Sequence, residues 1–420
     1  MDFTNGITMR NASGPRARRR PEDGLSRGAT LVFAVAAGVS VANVYYAQPL
    51  LDAIARDFGI SSAAIGLVVT LTQVGYALGL IFIVPLSDLL DRRRLVIGQG
   101  LLSIIALVAV ATAKTEEVLF TGLAAMGLLA VVVQVLVAFA ATLATPAERG
   151  RAVGTVTSGI VIGILGARFV AGLLADLGGW RVVYLTSAIL MAAMVGLLTR
   201  VLPRTPLPGS TDSYAGTLRS IPALFLRDRV LLTRGLLALL IFAAFSTFWT
   251  SLVLPLSTAP FHYSHTQIGL FGLVGLAGAA AATGAGRLAD RGLGQCTMTL
   301  SLTLLLLSWG LIAFLPSSIP LLLIGVVLLD LAVQAVHVTN QSIIVARHPT
   351  ARSRLVGGYM VFYSIGSAMG ASAATMAYAH AGWHGVSMLG AAFSAAAMLT
   401  WAGARHRPVG GEATECADGL

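Results

Sequence analysis

The feature that most constrains this sequence is a series of apolar runs, each roughly 20 residues long, that recur along most of the chain. A run of this length can cross the hydrocarbon core of a bilayer, about 30 Å thick, as an α-helix. Helices are required because backbone polar groups in lipid must find partners within their own segment. The sequence therefore predicts an all-α membrane protein with about 12 transmembrane helices. The predicted spans are 28–51, 62–86, 95–112, 117–142, 150–177, 181–201, 231–256, 267–289, 295–314, 319–345, 353–380 and 384–404.

The placement of the basic residues predicts how these helices are oriented. The chain has a formal charge of +10, although only 11% of its residues are charged. Of its 28 lysines and arginines, 24 lie in the two termini and in alternate loops. Because basic loops stay on the cytoplasmic side, both termini are expected in the cytoplasm, with the chain crossing a bacterial inner membrane many times. The positive charge is a topology signal, and no nucleic-acid partner is expected.

An internal repeat divides the chain into two similar halves. Ile65–Leu67 (Ile-Gly-Leu) recurs 203 positions later (268 − 65) as Ile268–Leu270. Matching pairs follow in the same order: Asp88 with Asp290, Arg149–Arg151 with Arg352–Arg354, and Gly179–Trp180 with Gly382–Trp383. Two halves repeated in one orientation are typical of a transporter whose substrate site lies between them. The predicted divisions are a basic tail 1–27, a first half 28–201, a cytoplasmic linker 202–230, a second half 231–404 and a tail 405–420.

The loops after the second and eighth spans carry a recognisable motif. Pro85–Arg94 reads PLSDLLDRRR, and Gly286–Arg291 reads GRLADR. Together they resemble the signature loop of the major facilitator superfamily, and the resemblance covers residues 25–405. It implies the major facilitator fold of two six-helix halves, working by alternating access, and it extends to the superfamily's drug:proton antiporters.

The same two loops are predicted to form a cytoplasmic gate. The candidate residues are Asp88, Arg92 and Arg93 in the first copy, and Asp290 and Arg291 in the second. An aspartate at a helix end beside arginines can form charge-assisted hydrogen bonds to a neighbouring helix. The alternative for the arginines is that they only orient the chain in the membrane.

Ionisable residues inside the spans are costly and mark function by default. Asp330 lies near the middle of the tenth span, and Gln334, His337 and Gln341 follow at intervals of four, seven and eleven residues. This spacing places all four on one helical face. Asp330 is predicted to carry a proton, and His337 to relay one or to bind substrate. The alternative is a hydrogen-bonded packing network between helices.

Arg168 is the other ionisable residue within a span. It lies among Gly159, Gly163, Gly166 and Gly172, so its helix can pack closely against neighbours. The region resembles the glycine-rich fifth helix of the drug:proton antiporters, without their Gly-Pro pair. Arg168 could pair with Asp330, bind an anionic substrate or act as a conformational counter-ion, and all three roles stay open.

Aromatic and amide residues at helical spacing are candidates for lining a cavity. Pockets for amphipathic molecules combine apolar walls with few polar groups, and the alternative for each residue is helix packing. His262 and His265 have a spacing compatible with a metal site but lack acidic or cysteine partners nearby in sequence, so they are interpreted as loop residues. The cavity candidates are Asn43, Tyr46, Gln73, Tyr76, Gln134, Trp249, Gln334, Gln341, Tyr359 and Tyr363.

These features predict a proton-coupled antiporter that exports small amphipathic compounds. An importer of a sugar or small metabolite would use the same scaffold, and a membrane-embedded enzyme or sensor is the alternative from another class. No HExxH, GxSxG or phosphate-loop motif occurs. The expected partners are a small-molecule substrate, protons and the lipid bilayer, and the chain is expected to act as a monomer without cofactor or metal.

The gate hypothesis makes a direct prediction for Asp88→Asn and Asp290→Asn. Each substitution removes a charge that would hold one access state, so each should change the rate of transport cycling more than the amount of protein in the membrane. Transport assays normalised to immunoblot abundance would check this. If both variants only reduced abundance, the gate hypothesis would be wrong.

Overall fold

The computed structural model describes residues 26–145, 148–203, 214–281, 294–347 and 352–405. In the first half the helices are α1 Arg27–Tyr45, α2 Leu51–Phe58, α3 Leu67–Phe82, α4 Arg92–Ala111, α5 Glu116–Ala130, α6 Val132–Leu143, α7 Arg149–Gly178 and α8 Trp180–Val201. The helices that follow are α9 Tyr214–Arg227, α10 Arg229–Ser251, α11 Val253–Leu256, α12 His265–Ala281, α13 Gly294–Ile312, α14 Ile319–Arg347 and α15 Arg352–Arg405.

The all-α membrane fold predicted from the apolar runs is confirmed in this part of the chain. Ten helical segments are long and apolar enough to cross a bilayer, and α12 adds a shorter apolar helix. The 54-residue α15 contains two helices separated at Ala381 and Gly382. Counting both parts of α15 gives twelve spans among the described residues. The first span was predicted to end at residue 51, but it continues through a 3-10 turn, Gln48–Leu50, into α2 and ends at Phe58.

The repeated Gly-Trp pair produces the same turn in both halves. Gly179 and Gly382 have φ angles of +83° and +57°, a backbone region that glycine enters without a steric penalty. Trp180 and Trp383 follow, and their indole N–H groups donate to acceptors on other helices at 3.0 Å and 2.8 Å. The glycine ends one helix and the tryptophan anchors the next, so consecutive spans can run in opposite directions.

Glycines allow α1 and α7 to pack against each other within the first half. A Cβ atom built on Gly159 would lie 2.3 Å from the carbonyl oxygen of Ala34, and one on Gly163 would lie 2.4 Å from that of Gly38. Both distances are far below van der Waals contact, so only glycine fits. Small residues at helix contacts are the usual means of close packing in lipid, where burying apolar surface gains little.

The two halves meet along two helix pairs, which we call the α3–α15 seam and the α7–α12 seam. A Cβ atom on Gly66 would lie 2.7 Å from the carbonyl oxygen of Ala371 in α15, and one on Gly269 would lie 2.5 Å from that of Arg168 in α7. Gly66 and Gly269 are the glycines of the repeated Ile-Gly-Leu motif. Each half therefore uses the same repeated glycine to approach the other.

The packing of α7 predicts different outcomes for two substitutions on the same helix. Gly163→Val places a side chain against the backbone of Gly38, and overpacking of this kind typically costs about 1–3 kcal/mol. Gly166→Val is the matched control, because a Cβ atom there meets no atom within 4 Å. Thermal unfolding of the detergent-purified variants should show a lower melting temperature for Gly163→Val alone. Equal effects of the two would contradict the packing described for α1 and α7.

Candidate functional site

Helix α12 brings the interior charges of the two halves close together. Its glycines recur every three residues, at Gly269, Gly272, Gly275 and Gly278. A Cβ atom on Gly272 would lie 2.6 Å from the carbonyl oxygen of Leu165 in α7. One on Gly278 would lie 2.4 Å from that of Val327 in α14. The α12 backbone thus contacts α7 of the first half along one part of its length and α14 of the second along the other.

Arg168 is buried at the contact of α7 with α12, with 2% of its surface exposed. Its Nε donates to the side-chain oxygen of Gln48 at 2.9 Å, and one terminal nitrogen donates to the carbonyl of Ile164 at 3.2 Å. The other terminal nitrogen has no hydrogen-bond partner. The guanidinium carbon lies 5.2 Å from the ring centroid of Tyr45 and 4.1 Å from that of Trp249. Aromatic faces therefore provide much of its stabilisation.

Asp330 is buried in α14, close to Gly275 and Gly278 of α12. Only 1% of its surface is exposed. The indole N–H of Trp249 donates to one carboxylate oxygen at 3.4 Å, and the other oxygen has no hydrogen-bond partner. Asp330 is therefore buried with one carboxylate oxygen unpaired, and its role as a proton carrier stays a prediction.

Trp249 of α10 lies between these two opposite charges. Its ring faces Arg168 and its N–H points to Asp330. Among the described residues the two charges form no direct ion pair within 4.0 Å, although each affects the other electrostatically. The three roles left open for Arg168, namely pairing with Asp330, binding an anionic substrate and acting as a conformational counter-ion, stay predictions.

Hydrogen-bonded tyrosines extend this site across the two halves. The hydroxyl of Tyr45 in α1 bonds to that of Tyr363 in α15. The ring of Tyr363 lies edge-on to Tyr76, with centroids 6.4 Å apart, and the Tyr76 hydroxyl accepts from the amide of Gln134 at 3.3 Å. The structure therefore brings together four of the predicted cavity residues, namely Trp249, Tyr76, Gln134 and Tyr363.

A second polar cluster lies further along α14. The Nδ1 atom of His337 is 3.0 Å from the Tyr359 hydroxyl, and its Nε2 atom is 3.3 Å from the amide nitrogen of Gln341. If that amide donates to Nε2, the neutral ring carries its proton on Nδ1 and donates to Tyr359. Phe242 packs edge-on against His337, with ring centroids 5.1 Å apart, and joins this cluster to Tyr363.

The remaining candidates lie in different surroundings. The side chain of Asn43 accepts from the Ser187 hydroxyl at 2.5 Å, within the first half, and Tyr46 is buried next to the same serine. Gln73 is buried in α3, and its carbonyl oxygen has no hydrogen-bond partner. Gln334 is half-buried on the Asp330 face of α14. Contact of these residues with a substrate stays a prediction.

A large cavity lies toward the end of the bundle that carries Arg92, Arg149 and Arg229, which we call the basic end. Its volume is about 330 Å³, and its lining is almost wholly apolar. Leu80 of α3, Phe225 of α9 and Phe362 of α15 form parts of its wall. Further from the basic end, next to Arg168 and Trp249, a second cavity of about 10 Å³ has room for no more than one water molecule.

Comparison with known proteins identifies the family. The model of the Major Facilitator Superfamily matches residues 33–258 and 235–415. The chain belongs to the Major Facilitator Superfamily. It is 46% identical to the uncharacterized transporter YgaY of Escherichia coli O157:H7 over 389 residues, covering 92% of this chain and 98% of the relative. It is 33% identical over 411 residues to SCO4007 of Streptomyces coelicolor, also named as a transporter, covering 96% and 94%.

Solved structures of the superfamily share this fold. One is a bacterial homolog of the human lysosomal transporter Spinster in an inward-facing and occupied conformation. It has a TM-score of 0.74 and 15% sequence identity, and the match covers 90% of this chain and 96% of that chain. The predicted resemblance to the superfamily is confirmed, and the family and its relatives indicate a multi-pass membrane transporter rather than an enzyme.

The superfamily's signature loop is described for its first copy only. The Asp91 side chain caps α4 by accepting from the backbone N–H of Arg93 at 2.9 Å. Arg92 donates to the Thr142 hydroxyl at 2.7 Å, and Arg93 donates to the carbonyl of Thr199 at 2.6 Å. These arginines therefore bind neighbouring helices of the first half. The Asp88 side chain and the second-copy residues Asp290 and Arg291 lie outside the described part, so the gate stays a prediction.

His265 lies at the end of the bundle opposite the basic end, and it is not the loop residue predicted from the sequence. It begins α12 and contacts Asp52 of the first span and Asp176 of α7. The sequence interpretation missed it because the two acidic residues are distant along the chain. Gln48, the partner of Arg168, was missed for the same reason. Among the described residues, no group of three or more His, Cys, Asp or Glu side chains has an arrangement that could hold a metal ion.

The Arg168–Asp330 interaction can be measured with a double-mutant cycle. Arg168→Gln and Asp330→Asn should each lower the melting temperature of the purified protein, because each leaves the other charge buried without its counter-charge. The stability lost in the double variant should be smaller than the sum of the losses in the two single variants, and the difference should correspond to a coupling free energy of about 0.5–3 kcal/mol. Asp57→Asn is the control, since Asp57 pairs with Arg181 at the end of the bundle opposite the basic end. Its effect on stability should add to that of Arg168→Gln. Additivity in both cycles would show that Arg168 and Asp330 do not interact.

Proposed function

We propose that this transporter exports small amphipathic compounds in exchange for protons, by alternating access. The observation that carries the proposal is the buried set of Arg168, Trp249 and Asp330 where the halves meet. A substrate site at such a position contacts both halves, so binding and rocking can be coupled. Because Asp330 lies in the same place, binding of a proton to its carboxylate would directly change the contact between the halves.

Asp330 is the proposed proton carrier. When it is ionised, it attracts Arg168 across the Trp249 ring, and this attraction is strong where water is scarce. When it binds a proton, the attraction is lost and Arg168 is left without this counter-charge. The free oxygen of Asp330 can accept a proton, and the free terminal nitrogen of Arg168 can donate a hydrogen bond to a substrate group. Protonation would thereby favour one arrangement of α7 against α14.

The described conformation supports access from the basic end. The large cavity lies toward that end, whereas contacts between the halves cluster at the other, where Thr375 donates to the carbonyl of Ala63 at 3.0 Å and His265 contacts Asp176. With the basic loops in the cytoplasm, as proposed from the distribution of arginines, this is an inward-open state. The chain would lie in the bacterial inner membrane and work as a monomer, with protons, substrate and lipid as its partners.

The lining of the large cavity favours an amphipathic substrate. Its walls are apolar, and it begins one helical turn from Tyr76, whose hydroxyl belongs to the polar site. Apolar walls with a few polar groups at one end suit a molecule with an apolar body and one polar group.

A solute with many hydroxyl groups is the second candidate. The stripe of Gln334, His337 and Gln341 on α14 offers amide and imidazole groups that could bind a sugar or small metabolite. This observation favours a hydroxylated solute, which the same scaffold could import, and a substrate panel must therefore include such solutes.

The proposal predicts that wild-type protein lowers the accumulation of some amphipathic dyes or antibiotics in an efflux-deficient bacterium and that Asp330→Asn does not. The reason is that an asparagine cannot exchange a proton in this pH range. Accumulation would be measured by fluorescence or mass spectrometry at matched protein abundance, with sugars in the same panel. Asp57→Asn is the control acid, since it lies outside the proposed site.

Coupling would be tested in everted vesicles by adding an exported compound and following proton release with a pH-sensitive dye. Wild type and Asp57→Asn should release protons on addition of the compound, and Asp330→Asn should not. Export that persists in Asp330→Asn would contradict the proposed carrier. Increased accumulation of a sugar with wild type would replace export with import.

A further inference from the structure

The start of α12 is held by groups from both halves. Ser264 and Gln267 cap it locally, because the backbone N–H of each is bonded to the side chain of the other, at 2.9 Å and 3.3 Å. Asp176 of α7 adds a cap from the other half by accepting from the backbone N–H groups of His265 and Thr266 at 3.1 Å and 2.8 Å. A carboxylate is also favoured at this position by the positive end of the helix dipole.

The His265 ring lies between two carboxylates of the first half. Its Nδ1 atom is 3.1 Å from Asp176, and its Nε2 atom is 3.0 Å from Asp52. An ionised carboxylate only accepts hydrogen bonds, and a neutral imidazole has only one N–H group to donate. Both contacts are therefore satisfied at once only when the ring carries two protons and a positive charge.

We propose that His265, Asp52 and Asp176 form a proton-binding site that holds the two halves together at the end of the bundle opposite the basic end. One proton on the imidazole completes the second hydrogen bond and joins α12 to both the first span and α7. Without that proton, one carboxylate faces a lone pair of the ring, and the contact between the halves is weakened. The site is separate from Asp330 and does not depend on the direction or substrate of transport.

The charges around this site support a role in holding the halves together. Asp52 also pairs with Arg56 at 2.9 Å, and that pair lies within the first half. Asp52, Arg56 and Asp176 are the charged side chains that face the ring among the described residues. With a charged His265 the cluster is neutral, whereas a neutral ring leaves one net negative charge. The exposed fraction of the His265 side chain is 19%, so protons from the adjoining solution can reach it.

Gly172 of α7 makes the close approach possible. A Cβ atom there would lie 2.1 Å from the carbonyl oxygen of His265, so any other residue would move the start of α12 away. Asp176 follows Gly172 by one helical turn and lies on the same face of α7. The close packing at Gly172 and the hydrogen bonds of Asp176 thus both hold the start of α12 against α7.

Distance measurements by electron paramagnetic resonance would test the proposal in purified full-length protein without substrate. Spin labels attached through p-acetylphenylalanine at the exposed positions 114 and 317 would report on the two halves at this end and leave the native cysteines intact. Wild type should show mainly the short distance near pH 6 and a growing longer population near pH 9, because histidine titrates in this range. Loss of one charge-assisted hydrogen bond should change the ratio of the two populations by about tenfold.

Three variants make the outcome specific. His265→Gln keeps a single donor group on a neutral side chain, so it should favour the long distance and lose the response to pH. Asp57→Asn removes an acid from the same end that pairs within the first half, and it should respond as wild type does. Asp330→Asn should keep the change in distance between pH 6 and pH 9, even if its transport is lost and its populations at a given pH are shifted, which separates this proposal from the proposed function.

The proposal would be overturned by a wild-type distance that does not change with pH. It would also be overturned by a normal response in His265→Gln, or by loss of the response in Asp330→Asn, since either result assigns the titration to another group.

Discussion

The close contact of α12 with both α7 and α14 is the constraint on which the membrane interior of this protein depends. Helices in lipid gain little by burying apolar surface, so they associate through packing and hydrogen bonds. Glycines at every third position of α12 remove the side chains that would hold its neighbours apart. Because of that contact, Arg168 of one half and Asp330 of the other lie on either side of a single tryptophan ring. A bulkier α12 would separate the two charges and leave each alone in the membrane.

The buried arginine shows how such a charge is tolerated. Removing a guanidinium from water is expensive unless its donors find acceptors. Here Gln48 and the carbonyl of Ile164 accept hydrogen bonds from the guanidinium, and aromatic faces stabilise its charge. One terminal nitrogen nevertheless has no hydrogen-bond partner. A completely satisfied network would resist rearrangement. The incomplete one leaves room for a proton or a ligand group to alter the balance between two arrangements of the halves.

Much of the fold could be predicted because a bilayer permits few structures. Apolar runs indicated the spans, and the repeated Ile-Gly-Leu and Gly-Trp motifs indicated two similar halves. That their glycines lie where the halves touch and where helices turn is shown only by the structure. Asp330 and Arg168 stood out as ionisable residues in apolar surroundings. The contacts of Gln48 and His265 could not be predicted, since His265 and Asp52 are 213 positions apart and meet only through packing of the halves. Helical spacing likewise showed which residues share a face, but not that Asn43 bonds to Ser187 inside one half.

The two seams, although built around the same repeated glycine, differ in chemistry. Among the described residues of the α3–α15 seam, the polar contacts include neutral ones, such as that between the Thr70 and Ser372 hydroxyls at 2.7 Å. Along the α7–α12 seam they involve ionised aspartates and a histidine. Ionic strength weakens interactions between solvent-accessible charges and hardly affects those between neutral hydroxyls. Added salt should therefore weaken the charged contacts of the α7–α12 seam more than the neutral contacts of the α3–α15 seam, so the two seams of this pseudo-symmetric protein should differ in their response to the surrounding medium.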